Sequence, residues 1–227
     1  MRKLIALSLT LLTIGIGLVY ANPPGTFQPL LLNITPPIIP DTWNPLDKNA
    51  GTTLSGGDLT SSATGLELTQ ARTTTSHNTG KYYFEILFTN VGSASVTMAG
   101  ICNSTQSLSA APGISVNAYT YYGNNGNKFF NSGSGIAYGL SLANNDVNGV
   151  AVDFDNGNIW WHKNGTYPAS GNPSTGANPA FTGIAGSWFP CTGIYSGSSR
   201  TVTSTANFGA TTFTYSVPTG FTAGWSK

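Results

Sequence analysis

The most constraining stretch of this chain is Val150-Ala-Val-Asp-Phe-Asp155, followed by Asn156-Gly157 and then Asn158-Ile-Trp-Trp-His-Lys163. Side chains of an extended strand alternate between two faces. Val150, Val152 and Phe154 therefore share one face and Ala151, Asp153 and Asp155 the other, while Ile159 and Trp161 oppose Trp160 and His162. Asn-Gly accommodates the positive φ angles of a two-residue turn. The segment reads as an antiparallel hairpin with one face in a core and one facing outward. No stretch beyond the first 21 residues keeps helical spacing over three turns.

Composition supports extended structure and removes other classes. Charged residues make up 7% of the 227, and 9 basic against 8 acidic side chains leave a formal charge of +1; an ordinary soluble domain carries about a quarter charged residues. A nucleic-acid binder that tracks phosphates needs clustered Lys and Arg, and a coiled coil needs Glu and Lys, so both are excluded. Aromatic and β-branched runs at residues 82–89, 96–102, 115–122, 150–155, 158–162 and 202–208 are separated by Gly, Pro, Asn and Ser at sandwich-like intervals. The expected fold is all-β, in one domain.

The N-terminal segment is a separate object. Arg2 and Lys3 precede an uncharged apolar run from Leu4 to Tyr20, and Val19-Tyr20-Ala21 suits a signal peptidase. Residues 1–21 read as a signal peptide, with a membrane anchor through residues 4–20 as the alternative, because about 17 apolar residues is the lower limit of a span. Residues 22–40 contain Pro23, Pro24, Pro29, Pro36, Pro37 and Pro40 and read as an extended linker, leaving 41–227 as the domain. The leader places the domain outside the cytoplasm: secreted, at a cell surface, or on a virion.

Reaction chemistry finds few candidates. His77 and His162 have no neighbours that suggest a relay or metal cluster, and both read as surface histidines. Asp153-Phe-Asp155-Asn-Gly lacks the spacing and closing Glu of a calcium loop. Asp153 and Asp155, two apart on one strand face, form the only acid pair with a glycosidase-like separation, roughly 6.7 Å between Cα atoms. No metal or cofactor is expected. Cys102 and Cys191 leave a disulfide and two buried thiols equally open. Asn33, Asn103 and Asn164 head Asn-x-Ser/Thr triplets, which a chain this rich in those residues supplies by chance.

Five motifs occur in order: Gly80-Lys-Tyr-Tyr-Phe-Glu-Ile86, Asp146-Val-Asn-Gly-Val-Ala-Val-Asp153, Trp161-His-Lys-Asn-Gly165, Phe189-Pro190 with Tyr195-Ser-Gly197, and Ala206-Asn-Phe-Gly209 followed by Phe213-Thr-Tyr215. From about Trp43 to Phe221 the chain resembles the SPRY domain, in the stand-alone form of bacteria and their viruses. The resemblance implies a bent antiparallel β-sandwich of the concanavalin A-like jelly-roll kind. It also implies a non-enzymatic binding or adhesion module whose ligand surface is built by loops at one sandwich edge. The turn after the Phe-Pro strand is here Tyr195, Ser196 and Gly197, and Ser196 stands where some relatives carry a large aromatic. With Trp188, Trp160 and Tyr122 as further exposed rings, these are the expected contacts to a protein or glycan. A structural component of a particle or envelope, displaying the same domain and assembled with its neighbours, is the alternative; a glucanase is the third reading.

Overall fold

The computed structural model describes residues 39–65, 68–91, 96–195 and 198–227; the expected leader and all of the linker except its last two residues lie outside them. Among the described residues the strands are β1 (Trp43–Lys48), β2 (Thr53–Ser55), β3 (Thr60–Gly65), β4 (Thr69–Thr73), β5 (Lys81–Asn90), β6 (Val96–Cys102), β7 (Ala118–Tyr122), β8 (Asn127–Phe129), β9 (Asp146–Asp153), β10 (Asn158–Lys163), β11 (Phe189–Tyr195), β12 (Ser198–Asn207) and β13 (Thr222–Ala223). One sheet has the order β1-β4-β11-β6-β7-β8 and the other β10-β9-β5-β12-β3-β2, with β13 parallel to β5. All other pairings are antiparallel. The helical pieces described are two single 3-10 turns, and no described helix is long and apolar enough to cross a membrane. The all-β sandwich is as expected. Ile39 and Pro40, assigned above to the linker, already join the domain: Ile39 accepts from the Lys227 amide at 3.0 Å, and Pro40 bridges to Ser226.

Alternation builds the core. Phe84, Ile86 and Phe88 of β5 point inward with Val150 and Val152 of β9 and Ile159 and Trp161 of β10, against Ala99, Ile101, Tyr119 and Tyr121 from the facing sheet. Each large side chain so buried contributes about 1.5–3 kcal/mol. The hairpin exists, but its connection is four residues, not two. Asn158 pairs with Asp153, and only Gly157 of the four has a positive φ, +67°. The Asp153 carboxylate accepts from both the Asn156 amide and its side chain, which closes the longer loop and lets Phe154 fold into the core.

The outward faces of both sheets are covered, and this corrects the hairpin reading. Ala151 and Trp160 are fully buried with Tyr83 under Tyr167, Phe213, Val217 and Phe221. Residues 210–221 thus form a strap across the seven-stranded sheet. On the six-stranded sheet the β6–β7 connection, residues 103–117, folds back over Cys102, Ala118 and Cys191, which pack as a cluster separate from the core.

Candidate functional site

β4 holds the 103–117 loop with outward side chains. Arg72 donates through Nη1 to the carbonyls of Asn103 (3.0 Å) and Gln106 (2.9 Å) and binds the Asp47 carboxylate through Nε and Nη2 at 2.7 and 2.6 Å. Gln70, two residues away on the same face, donates to the carbonyls of Ser107 and Ala110. Thr120 of β7 donates to the Pro112 carbonyl at 2.9 Å. The hydrogen bonds Arg72 donates to Asp47 raise its pKa further against the cost of burial, so the guanidinium stays charged. A Cβ on Gly193 would stand 3.0 Å from Pro112, so the glycine lets the loop lie flat.

The loop stops short of the sheet's far end and leaves a groove. Leu68, Val96, Met98, Ala111, Ile114, Tyr122, Asn125, Phe129, Gly133 and Ser134 enclose about 440 Å³. No Asp, Glu, Lys, Arg or His is among them. Ile114 is 51% exposed at the rim, and Val116 of the same loop is 54% exposed. Open apolar surface of this kind marks interaction sites. A roomier hollow of about 520 Å³ runs beside the strap, between His162, Tyr167, Asn172, Ser174, Tyr215 and Thr219. In its wall the Thr219 amide donates to Ser174 Oγ at 2.9 Å, while the buried Tyr167 hydroxyl has no hydrogen-bond partner among the described residues.

Of the expected contacts, Tyr122 lines the groove. Tyr195 ends β11 with its backbone opposite Val96, a groove residue; Ser196 and Gly197 lie outside the described residues. Trp188 and Trp160 are corrected. Trp188 is 5% exposed, packs 5.1 Å from Tyr119 and donates to the Ala185 carbonyl at 3.0 Å. Trp160 is fully buried beneath Phe221 and donates to Ala177 at 2.8 Å. Both rings satisfy their N–H within the fold, so neither is available to a ligand. Met98, Phe129 and Ile114 were missed because periodicity cannot show that a connecting loop will cover half a sheet face and spare the rest.

Neither histidine is a free surface group. His77 is half-buried, stacked 4.3 Å from Tyr82, with Nε2 3.1 Å from the Ser226 carbonyl, and burial lowers its pKa. His162 is 1% exposed. Its Nδ1 accepts from the Gly165 amide at 3.0 Å, which leaves the proton on Nε2 to donate to Tyr83 Oη at 2.7 Å. The Tyr83 hydroxyl in turn donates to Glu85 at 2.8 Å, and Glu85 accepts the amides of Thr214 and Tyr215, each at 2.8 Å. This chain fastens the strap. Burial drives the His162 pKa down to about 4.

The acid pair is structural. Asp155 accepts the Gly80 amide at 2.7 Å. Asp153 is 2% exposed and paired with Lys81 at 2.8 Å. Burial pushes the Asp153 carboxyl up, but Lys81 and Asn156 outweigh it and hold the pKa below the usual range, whereas a general acid needs one raised. The glucanase reading loses its residues. Among the described residues no group of three or more His, Cys, Asp or Glu is placed to hold a metal.

Comparison with known proteins decides the family. The SPRY domain family model matches residues 81–210. The chain belongs to the SPRY domain family. This SPRY domain is 30% identical over 134 residues to a Ran-binding proteins 9/10 homolog of Drosophila melanogaster, covering 56% of this chain and 14% of that protein. It is 28% identical over 185 residues to Ran-binding protein 9 of Xenopus tropicalis, covering 78% and 32%. The chain thus spans a third or less of the relatives' length. The SPRY domain of human HERC1 superposes with a TM-score of 0.59 at 14% identity, covering 75% of this chain and 99% of that one. These relatives are animal proteins, so the bacterial or viral kinship expected from the sequence is not carried by them.

Proposed function

We propose that this SPRY domain is a non-catalytic protein-binding module that seats an uncharged, apolar segment of a partner protein in the groove beside Tyr122. The observation that carries the reading is the lining: Leu68, Val96, Met98, Ile114, Tyr122 and Phe129 form an open hollow with no Asp, Glu, Lys, Arg or His in its wall. Affinity there rests on apolar burial and depends little on salt. The relatives bear the name Ran-binding protein. That supports a binding role, and the short shared length leaves this domain's partner to be identified. A glycan ligand and a structural role on a particle draw no support from the groove or the relatives. The leader of residues 1–21 supports export, which an intact mass beginning at Asn22 in the exported protein tests.

The binding test uses peptides selected by display against the full chain. Tyr122→Ala is expected to weaken the selected peptides at least about tenfold while the melting temperature stays within error. Binding that survives Tyr122→Ala, or that disappears between low and high salt, overturns the reading.

A further inference from the structure

Cys102 is the last residue of β6 and is followed at once by the 103–117 loop; Cys191 is the third residue of β11. Phe189 lies opposite Cys102 and Cys191 opposite Gly100, so the cysteines are diagonal neighbours on one face. Both are fully buried and unbridged, and they pack together with Ala118. Arg72 stands opposite Cys191 on the next strand, its charge acting on both sulfurs. The cover over the pair is the loop that Arg72, Gln70 and Thr120 hold down. The same loop supplies Ala111 and Ile114 to the groove. While it is seated, burial keeps the Cys191 thiol protonated and bars an oxidant.

We propose that Cys102 and Cys191 are a redox pair gated by the 103–117 loop: a low-molecular-weight disulfide oxidises them only when the loop lifts, and the new bond then keeps the loop from reseating. The consequence for ligand rests on the groove being the binding site; the redox step does not. With the loop raised, one cysteine releases its proton to water, and the thiolate attacks oxidised glutathione, expelling one glutathione thiolate. The second cysteine, deprotonated in turn, displaces the other glutathione. One Sγ–Sγ bond forms, one external disulfide breaks, and two electrons pass to the oxidant. Diagonal cross-strand residues sit about 7–8 Å apart, whereas a disulfide spans about 4.4–6.8 Å between Cα atoms. Closing the bond draws β6 toward β11 at the point where the loop departs, which misaligns the Asn103 and Gln106 carbonyls from Arg72.

The test incubates the full chain with oxidised glutathione, then unfolds it, alkylates it and weighs it intact. Wild type is expected to lose both alkylatable thiols together and slowly, without retained glutathione. Gln70→Leu and Thr120→Val, checked for fold by circular dichroism, each release part of the loop and are expected to oxidise about tenfold faster. Thr219→Ala in the strap leaves the rate unchanged. Hydrogen exchange at residues 109–116 is expected to quicken after oxidation. Equal rates in wild type and both folded loop variants overturn the gate. Stable glutathione adducts on the separate cysteines overturn the pair, and unchanged exchange overturns control of the loop. None of these readouts needs a groove ligand, so a failure to select groove peptides sinks the binding reading alone.

Discussion

The two sheets are covered in opposite ways. On the six-stranded sheet the 103–117 loop is held through its carbonyls, by the donors Arg72, Gln70 and Thr120. On the seven-stranded sheet the strap is held through its amides, by the acceptor Glu85, and is sealed by Tyr83, Trp160, Phe213, Val217 and Phe221. Aromatic packing makes the second cover part of the core in all but name. The first has little beneath it except two thiols, an alanine and glycines, so it depends on polar pins and ends beside an open hollow. A face attached by hydrogen bonds can present an apolar groove; a face attached by rings has already used its apolar surface.

Arg72→Ala tests that division most severely. It leaves the Gln106 carbonyl without its Arg72 donor, leaves the Asn103 carbonyl only the Gln106 amide at 3.3 Å, and strands Asp47, an expected loss of about 4 kcal/mol in urea unfolding. Hydrogen exchange should quicken at 103–117 and stay slow in the strap; equal loss of protection on both faces would show that the covers are not independent. Gly149→Ala is the counterpart on the other sheet. Its Cβ would stand 1.9 Å from His162 Nε2, and the ring cannot retreat because Tyr83 and Gly165 fix both nitrogens. About 3 kcal/mol is expected. Repeating the substitution in a His162→Ala background should recover most of that loss, and full additivity would mean the clash is relieved elsewhere.

Acid should distinguish the covers too. His162 has a folded pKa of about 4, below the unfolded value of about 6.5. The unfolded chain therefore binds a proton that the folded chain refuses. The stabilisation is complete above pH 6.5 and declines as pH falls toward 4, by up to about 3 kcal/mol. His77 shifts in the same direction and adds to the slope. Asp146 and Asp153, whose pairing with Lys163 and Lys81 outweighs burial, act in a lower window, below the normal carboxylate range. Urea titrations at pH 7 and pH 4.5 measure the slope. His162→Gln should flatten most of it; an unchanged slope would assign the effect to other groups.

Much of the sandwich was legible in the chain because alternation is a local signal. Residues 96–102 were bounded correctly as a strand, and Val150, Val152, Ile159 and Trp161 face the core as their spacing requires. What could not be read was non-local. His162 and Trp160 occupy outward positions and are nevertheless buried, because residues 210–221, some fifty positions later, return across them. Asp153 and Asp155 have the sequence spacing of a catalytic pair, yet the strand ends at Asp153, and Lys81 and the Gly80 amide, arriving from β5 and its preceding turn, consume both. Of the proposed contacts whose side chains are described, Trp188 and Trp160 are buried and Tyr122 lines the groove, since a ring's position in a strand does not reveal whether a neighbouring loop will cover it.

The mildest change examines the claim that the groove wall serves a ligand more than the fold. Ile114 is 51% exposed, on a loop fastened through backbone carbonyls and through Ser109 Oγ, which accepts from the Asn49 side chain at 2.9 Å. Ile114→Ser therefore removes apolar surface that folding has buried only in part. Its cost in urea unfolding should stay within about 0.5 kcal/mol, and the thiol oxidation rate should match wild type, because none of the loop's fastenings is touched. Peptides selected against the wild-type groove should nonetheless weaken several-fold, since burying a large aliphatic side chain at an interface contributes about 1 kcal/mol or more. A variant that loses stability and affinity in equal measure would show that Ile114 is packed into the domain, and would move the ligand boundary inward to Met98, Tyr122 and Phe129.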